Sequence, residues 1–277
     1  MAGVYLTGWS VHLPGECAEA VPADRAMELL GRRGLLYKEP ATRLALCAVH
    51  RALGLPAKVR PEGAVRPDTA VVACGNLGNV ETVAQAARAV AAGQAREVSP
   101  LAAPNASSNV VASTVARWFR FGGPNLMVCS GATAGLDGFA LGGLLLRSGR
   151  ARRVVLVGAE PADEVATRLY RCGAPATPLR AGAACVVLAL APGRPAIRVR
   201  EAPGYPKWPD QPDRPALVFG GADGPPPWGD CYGAQGVVGL ATAARWLAEG
   251  GAGPVGVVCG DPADGWRAVT VAGSGDG

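Results

Sequence analysis

Three runs, Thr69–Cys74, Arg153–Gly158 and Ala183–Ala191, are apolar at nearly every position, odd and even alike. A strand turns alternate side chains to opposite faces of its sheet, so such runs are stable only where both faces are covered. Between them lie Ala- and Gly-rich stretches with apolar residues at helical spacing: Ala41–Ala52, Asn79–Ala92, Asn105–Phe119, Ala134–Arg147 and Gly233–Ala248. Further strand-like runs are Val4–Thr7, Leu126–Ser130, Ala196–Glu201, Ala216–Phe219, Gly256–Cys259 and Ala268–Ala272. The alternation predicts an α/β fold with helices layered on sheets.

Composition narrows the function classes. The 277 residues are 49% hydrophobic and 18% charged, which excludes a disordered chain. No apolar run approaches the roughly 18 residues of a membrane span, and the start MAGVYLTGWSVHLPG reads as a strand rather than a signal peptide. No membrane partner is expected, and the cytoplasm is the expected location. The net charge of +5 is scattered, and its tightest group, Arg147, Arg150, Arg152 and Arg153, reads as a solvated helix end. No nucleic-acid partner is expected. The eight cysteines contain no CxxC pair, so no cofactor or metal is implied. Only two histidines occur, His12 and His50, so no imidazole is available from the rest of the chain.

After Ala191 the composition shifts. Pro203, Pro206, Pro209, Pro212 and Pro215 recur every third residue, the repeat of a polyproline II helix, and read as a stiff connector. The expected division is a larger half, 1–195, and a smaller one, 196–277, within one compact unit. The second half again runs strand, strand, long helix, strand, strand, which suggests a degenerate internal duplication.

The most informative stretch is 104–161. A helix passes through Gly122-Gly123-Pro124 into the strand Leu126–Ser130, then a sharp small-residue turn, Gly131–Gly135, then a helix ending at Ser148-Gly149-Arg150. A second strand follows and closes on Gly158-Ala159-Glu160. Such a turn at a helix N-terminus can hold a nucleophile or aim backbone N–H groups at an anion. The proline-asparagine entry (Pro104-Asn105), the Gly-Pro before the strand, the Gly135-Leu136-Asp137 helix start, the R-S-G-R-A turn and the strand ending in G-x-E resemble the β-ketoacyl synthases. Arg180–Ala191 is similar to that family's Gly-Ala-rich strand, and Gly229–Gly236 to its second active-site loop and helix. The resemblance implies a thiolase-like layered fold (α-β-α-β-α) with a shortened C-terminal half.

The resemblance also marks departures. At the family's nucleophile position stands Ala132, with Cys129 three residues earlier and expected to be a buried, inert thiol in the strand. Asp230 occupies the place of the second catalytic histidine, and the region of the first, Phe219–Asp223, contains none. Catalytic groups are therefore expected to be absent. Within the family this pattern resembles the inactive chain length factor of type II polyketide synthases, which pairs with an active ketosynthase and, through the complex, meets an acyl carrier protein. That likeness implies a dimer interface formed by Asn105, Leu126, Met127, Val128, Cys129 and Ser130. It also implies an acyl tunnel lined by Val80, Val83, Ala84, Ala87, Ala132 and Thr133, though an Ala/Val stripe at this spacing is also what plain core looks like.

Three other readings remain. Ser130 or Cys129 could be the nucleophile of a stand-alone acyltransferase or hydrolase, with His12 or His50 as its base. The chain could be a homodimeric scaffold. The Gly75-Asn76-Leu77-Gly78 turn between a strand and a helix could hold a nucleotide, although the full G-x-G-x-x-G pattern is missing.

Overall fold

A computed structural model describes residues 3–173, 175, 177–201, 215, 217–221 and 228–273. The strands are β1 (Val4–His12), β2 (Thr69–Cys74), β3 (Asn125–Val128), β4 (Arg153–Glu160), β5 (Gly182–Ala189), β6 (Ile197–Glu201), β7 (Leu217–Phe219), β8 (Val255–Asp261) and β9 (Gly265–Gly273). The helices are α1 (Met27–Leu30), α2 (Pro40–Ala52), α3 (Val80–Ala91), α4 (Val110–Phe119), α5 (Ala134–Arg147), α6 (Glu164–Arg171) and α7 (Gln235–Ala248). The proline strip from Pro203 to Pro212 and the loop residues Ala222 and Asp223 lie outside the described residues.

The strands form one continuous sheet in the order β3-β2-β4-β5-β1-β6-β9-β8-β7. On one side of its centre β2 and β4 are parallel, while β4–β5 and β5–β1 are antiparallel. On the other side β7 and β8 are parallel, while β8–β9 and β9–β6 are antiparallel. The senses of β2-β4-β5-β1 are thus repeated in β7-β8-β9-β6, and the antiparallel pair β1–β6 joins the two sets. Among the described strands β3 alone has no counterpart in the second set, and it ends the sheet as an edge strand.

The apolar runs are explained by cover on both sides. Val71, Ala73, Val155, Val157 and Cys185 face α2 and α4 in one buried cluster. Val72, Leu156, Val186 and Leu188 face α5 and α7 in the other. That second cluster also contains Val255, Val257, Val269 and Val271 of β8 and β9. The α5–α7 layer is therefore held between the two ends of the curled sheet, the layered order of a thiolase-like fold.

The inner helices meet at their first turns. A Cβ at Gly135 would stand 2.8 Å from the Gly236 Cα, and one at Gly236 would stand 2.8 Å from the Leu136 backbone N. Each approach is to backbone, which no rotamer change can relieve.

Several boundaries differ from those read in the sequence. β1 runs on to His12 because a register shift between Leu6 and Gly8 absorbs an irregularity and lets pairing with β5 resume. The helix expected from Asn105 starts at Val110, because Ala103–Ala106 is a separate 3-10 turn ahead of Asn109. α6 was not foreseen: it is short and begins at the side-chain cap of Asp163, whose Oδ1 accepts the Ala166 N–H at 2.9 Å.

The crossing yields a prediction. Gly236→Val is expected to destabilise the protein by about 2 kcal/mol or more through overpacking against backbone. Urea denaturation measures this, and an unchanged midpoint at unchanged slope would contradict the crossing.

Candidate functional site

β3 delivers the chain through Cys129 and Ser130 into a 3-10 turn, Gly131–Thr133, which continues directly into α5. Gly131 has φ +66°, and a Cβ there would collide with the Asp264 carboxylate, so glycine is required on both counts. Asn76, just past β2, clamps the same residue through both of its backbone polar groups. Its Nδ2 donates to the Gly131 carbonyl at 2.9 Å, and its Oδ1 accepts the Gly131 N–H at 3.0 Å. The next amide, Ala132 N–H, donates to Asp264 Oδ2 at 2.7 Å. Ala132 itself is buried and carries no nucleophilic atom.

Behind the turn lies Glu160, fully buried at the end of β4. Its two oxygens accept the Asn76 N–H at 2.6 Å and the Leu77 N–H at 3.0 Å. Burial pushes its carboxyl up to about 8, against the pull of the Asn76, Leu77 and Gly233 amides. Asp137, in the first turn of α5, accepts Ser130 Oγ and Thr133 Oγ1, each at 2.6 Å, and Arg267 Nε at 2.9 Å. Burial disfavours its charge, but these donors prevail and hold it below the ordinary carboxylate range. Thr133 is thus turned into the helix start rather than toward a cavity, and Oγ1 also donates to the Ser130 carbonyl at 2.9 Å.

Asp230 anchors the second loop. It receives the Tyr170 hydroxyl on one oxygen and the Tyr232 N–H at 2.6 Å on the other, just before α7. Burial first, and then this carboxylate, push the Tyr170 phenol up.

Neither histidine serves Ser130 or Cys129. His12 is buried with Nε2 on the Val21 carbonyl, and burial pulls it down to about 4. His50 is buried with Nε2 on the Pro56 carbonyl and is also lowered by desolvation. Ser130 donates to Asp137, a carboxylate too acidic to be an effective base. Cys129 is exposed, not buried: β3 ends at Val128, and as an edge strand it has cover on one flank only. Desolvation and the charge of Glu160 raise its thiol, which leaves little thiolate at neutral pH.

The other expected residues divide in two. Leu126 is 37% exposed, Met127 and Val128 are half-buried, and Ser130 is exposed, so the edge from Leu126 to Ser130 is open. Asn105 is instead buried, with Nδ2 donating to the Tyr37 carbonyl at 2.5 Å, an internal strut. The stripe on α3 is not core, since no residue of that helix is buried. Val83 is 45% exposed and Ala87 is exposed, with Val90 one turn further on, while Val80 and Ala84 are half-buried and Val80 leans on the small cluster of Leu77, Ala166, Tyr170 and Leu179. Residues 75–79 lead into α3, but the Asn76 and Leu77 amides are spent on Glu160, which leaves no free cradle there for a phosphate.

A family model, the β-ketoacyl synthase N-terminal domain, matches residues 14–174, more than half of the chain. The chain belongs to the β-ketoacyl synthase family. Solved structures with the same fold include a chain of the ishigamide ketosynthase/chain length factor, at 21% identity and TM-score 0.74, covering 97% of this chain and 98% of that one. A type II polyketide synthase acyl-carrier protein in complex with its ketosynthase, AntDE:AntF, contributes a second, at 11% identity and TM-score 0.71, with 98% of this chain and 99% of that one covered. A third is the ketosynthase ApeO in complex with its chain length factor ApeC from Xenorhabdus doucetiae, at 14% identity and TM-score 0.57, covering 98% and 100% of the two chains. A search of curated proteins by sequence finds no match. No helix among the described residues is long and apolar enough to cross a membrane.

None of Asn76, Glu160, Asp137, Asp264 and Arg267 was given a site role in the sequence. Glu160, Asp137 and Asn76 had local signals, in the G-x-E strand ending, the Gly135-Leu136-Asp137 helix start and the Gly75–Gly78 turn, but their contacts did not; Asp264 and Arg267 meet the turn only across the fold.

Glu160 gives a pH prediction. With its carboxyl raised from 4.5 to about 8, the native state holds a proton that the unfolded chain releases between those values. Its contribution to stability is complete below about 4.5 and is lost as the pH rises through about 8, with a slope of up to about 1.4 kcal/mol per pH unit. Glu160→Gln should remove that slope, read as the difference between the two proteins' denaturation midpoints from pH 5 to 9. Parallel curves would contradict the assignment.

Proposed function

We propose that this ketosynthase homologue does not condense acyl groups itself but acts as a chain length factor, completing an active ketosynthase of a type II polyketide system. The observation that carries the reading is the turn at Ala132. It lacks a nucleophile, its amide is taken by a carboxylate, and it has no imidazole beside it. An oxyanion intermediate needs free donors and positive potential, whereas the amide of this turn already faces the Asp264 carboxylate.

The surface supports a pairing role. β3 leaves an unpaired strand edge with Leu126 exposed, and such an edge is a template for another chain. In this reading the partner is an active ketosynthase that pairs along Leu126–Ser130, and the acyl carrier protein is met through the complex. Val83 and Ala87 are the stripe residues free to border an acyl chain; Val80 and Ala84 stand behind them.

Two measurements follow. Co-expression with an active ketosynthase should give a one-to-one complex, and Leu126→Arg should weaken it at least about thirtyfold, because an unpaired charge would be buried. A stable homodimer that ignores the ketosynthase would favour the scaffold reading instead. Within the complex, Val83→Phe or Ala87→Phe should shorten the polyketide by one or more two-carbon units; an unchanged product from a folded variant would remove α3 from the tunnel.

A further inference from the structure

Asp264 sits in the turn between β8 and β9, far in sequence from the α5 turn whose amide it binds. The hairpin is built to aim it. Asp261 Oδ1 accepts the Ala263 N–H at 2.8 Å and the Asp264 N–H at 2.7 Å, which fixes the backbone from which the Asp264 side chain departs. At the other end Gly131 leaves the space that the carboxylate fills, since a Cβ there would collide with it. Arg267, three residues on, ties the same hairpin to Asp137 of α5. Hairpin and turn are thus joined twice, by Asp264 on Ala132 and by Arg267 on Asp137.

A backbone N–H at the start of a helix is the natural site for an oxyanion or a bound anion. Here the chain supplies its own anion. We propose that Asp264 is a built-in seal on the degenerate turn, occupying the Ala132 amide against acyl groups as a block independent of the missing nucleophile. The seal acts by position and by charge: it fills the space in front of the amide, and it repels the negative charge that any thioester addition would develop. This rests on the turn being the family's former nucleophile turn.

The test restores a nucleophile and asks whether it can work. In Ala132→Cys the introduced thiol stands on the residue whose amide Asp264 holds. In Ala132→Cys/Asp264→Ala that carboxylate is gone. Both full-length proteins are treated with iodoacetamide at neutral pH, where a thiolate displaces iodide to form a carbon–sulfur bond, and labelling is followed at each cysteine by peptide mass spectrometry. The native Cys129 serves as the internal reference. Position 132 should react at least about tenfold faster in the double variant, as expected when an adjacent anion that suppresses the thiolate is removed. Equal rates at position 132 with Cys129 unchanged would overturn the seal.

A milder measurement does not need the cysteine. In Asp264→Ala the Ala132 amide should lose at least about tenfold of its hydrogen-exchange protection relative to the unaltered protein, and unchanged protection would also overturn the proposal. Neither measurement uses a ketosynthase. Failure here leaves the pairing reading standing, and failure of the complex to form leaves the seal standing.

Discussion

The N-termini of α5 and α7 press together backbone against backbone at Gly135 and Gly236, and much else follows from that contact. It requires small residues on both helices, and it brings the two active-site loops of the fold to one point. Thr133 and Ala234 end the respective 3-10 turns just before the crossing, and both are buried. The two sets of strands then close over the pair from opposite sides, so one apolar cluster runs from β2 through the helices to β9. A side chain at either glycine would part the loops as well as loosen the core.

The same convergence gives the site its electrostatic character. Glu160 enters from β4, Asp137 from α5, Asp264 from the β8–β9 hairpin and Asp230 from the loop before α7. Each is satisfied by its own donors: backbone amides for Glu160, hydroxyls and Arg267 for Asp137, the Ala132 amide for Asp264, and Tyr170 with the Tyr232 amide for Asp230. These bonds hold the two loops in place.

Much of the fold was legible because burial on both faces leaves a plain mark. β2 and α5 fall on the spans read from their apolar residues, Thr69–Cys74 and Ala134–Arg147, and every other strand-like run overlaps a strand. The misses have local causes: a bulge near Gly8 extends β1, a 3-10 turn delays α4, and the four-residue α1 is too short to show periodicity. The site was legible only in what it lacks. Ala132, and the absence of histidine after His50, could be read directly, but the Asn76 clamp, the Arg267 tie and the Asp264 contact join residues 55, 130 and 132 positions apart. The α3 stripe and Cys129 show the limit of pattern alone, for the same apolar spacing suits a core or an open face, and only the sheet order shows that β3 is an edge.

Whether this chain contributes surface rather than chemistry is read by intact-mass spectrometry of the working complex. The chain, an active ketosynthase and a malonyl-loaded acyl carrier protein would be mixed and sampled during elongation. A chain length factor role predicts acyl adducts on the ketosynthase and none on this chain, with product formed only when both are present. An acyl adduct on this chain during turnover, at Ser130, Cys129 or elsewhere, would contradict it.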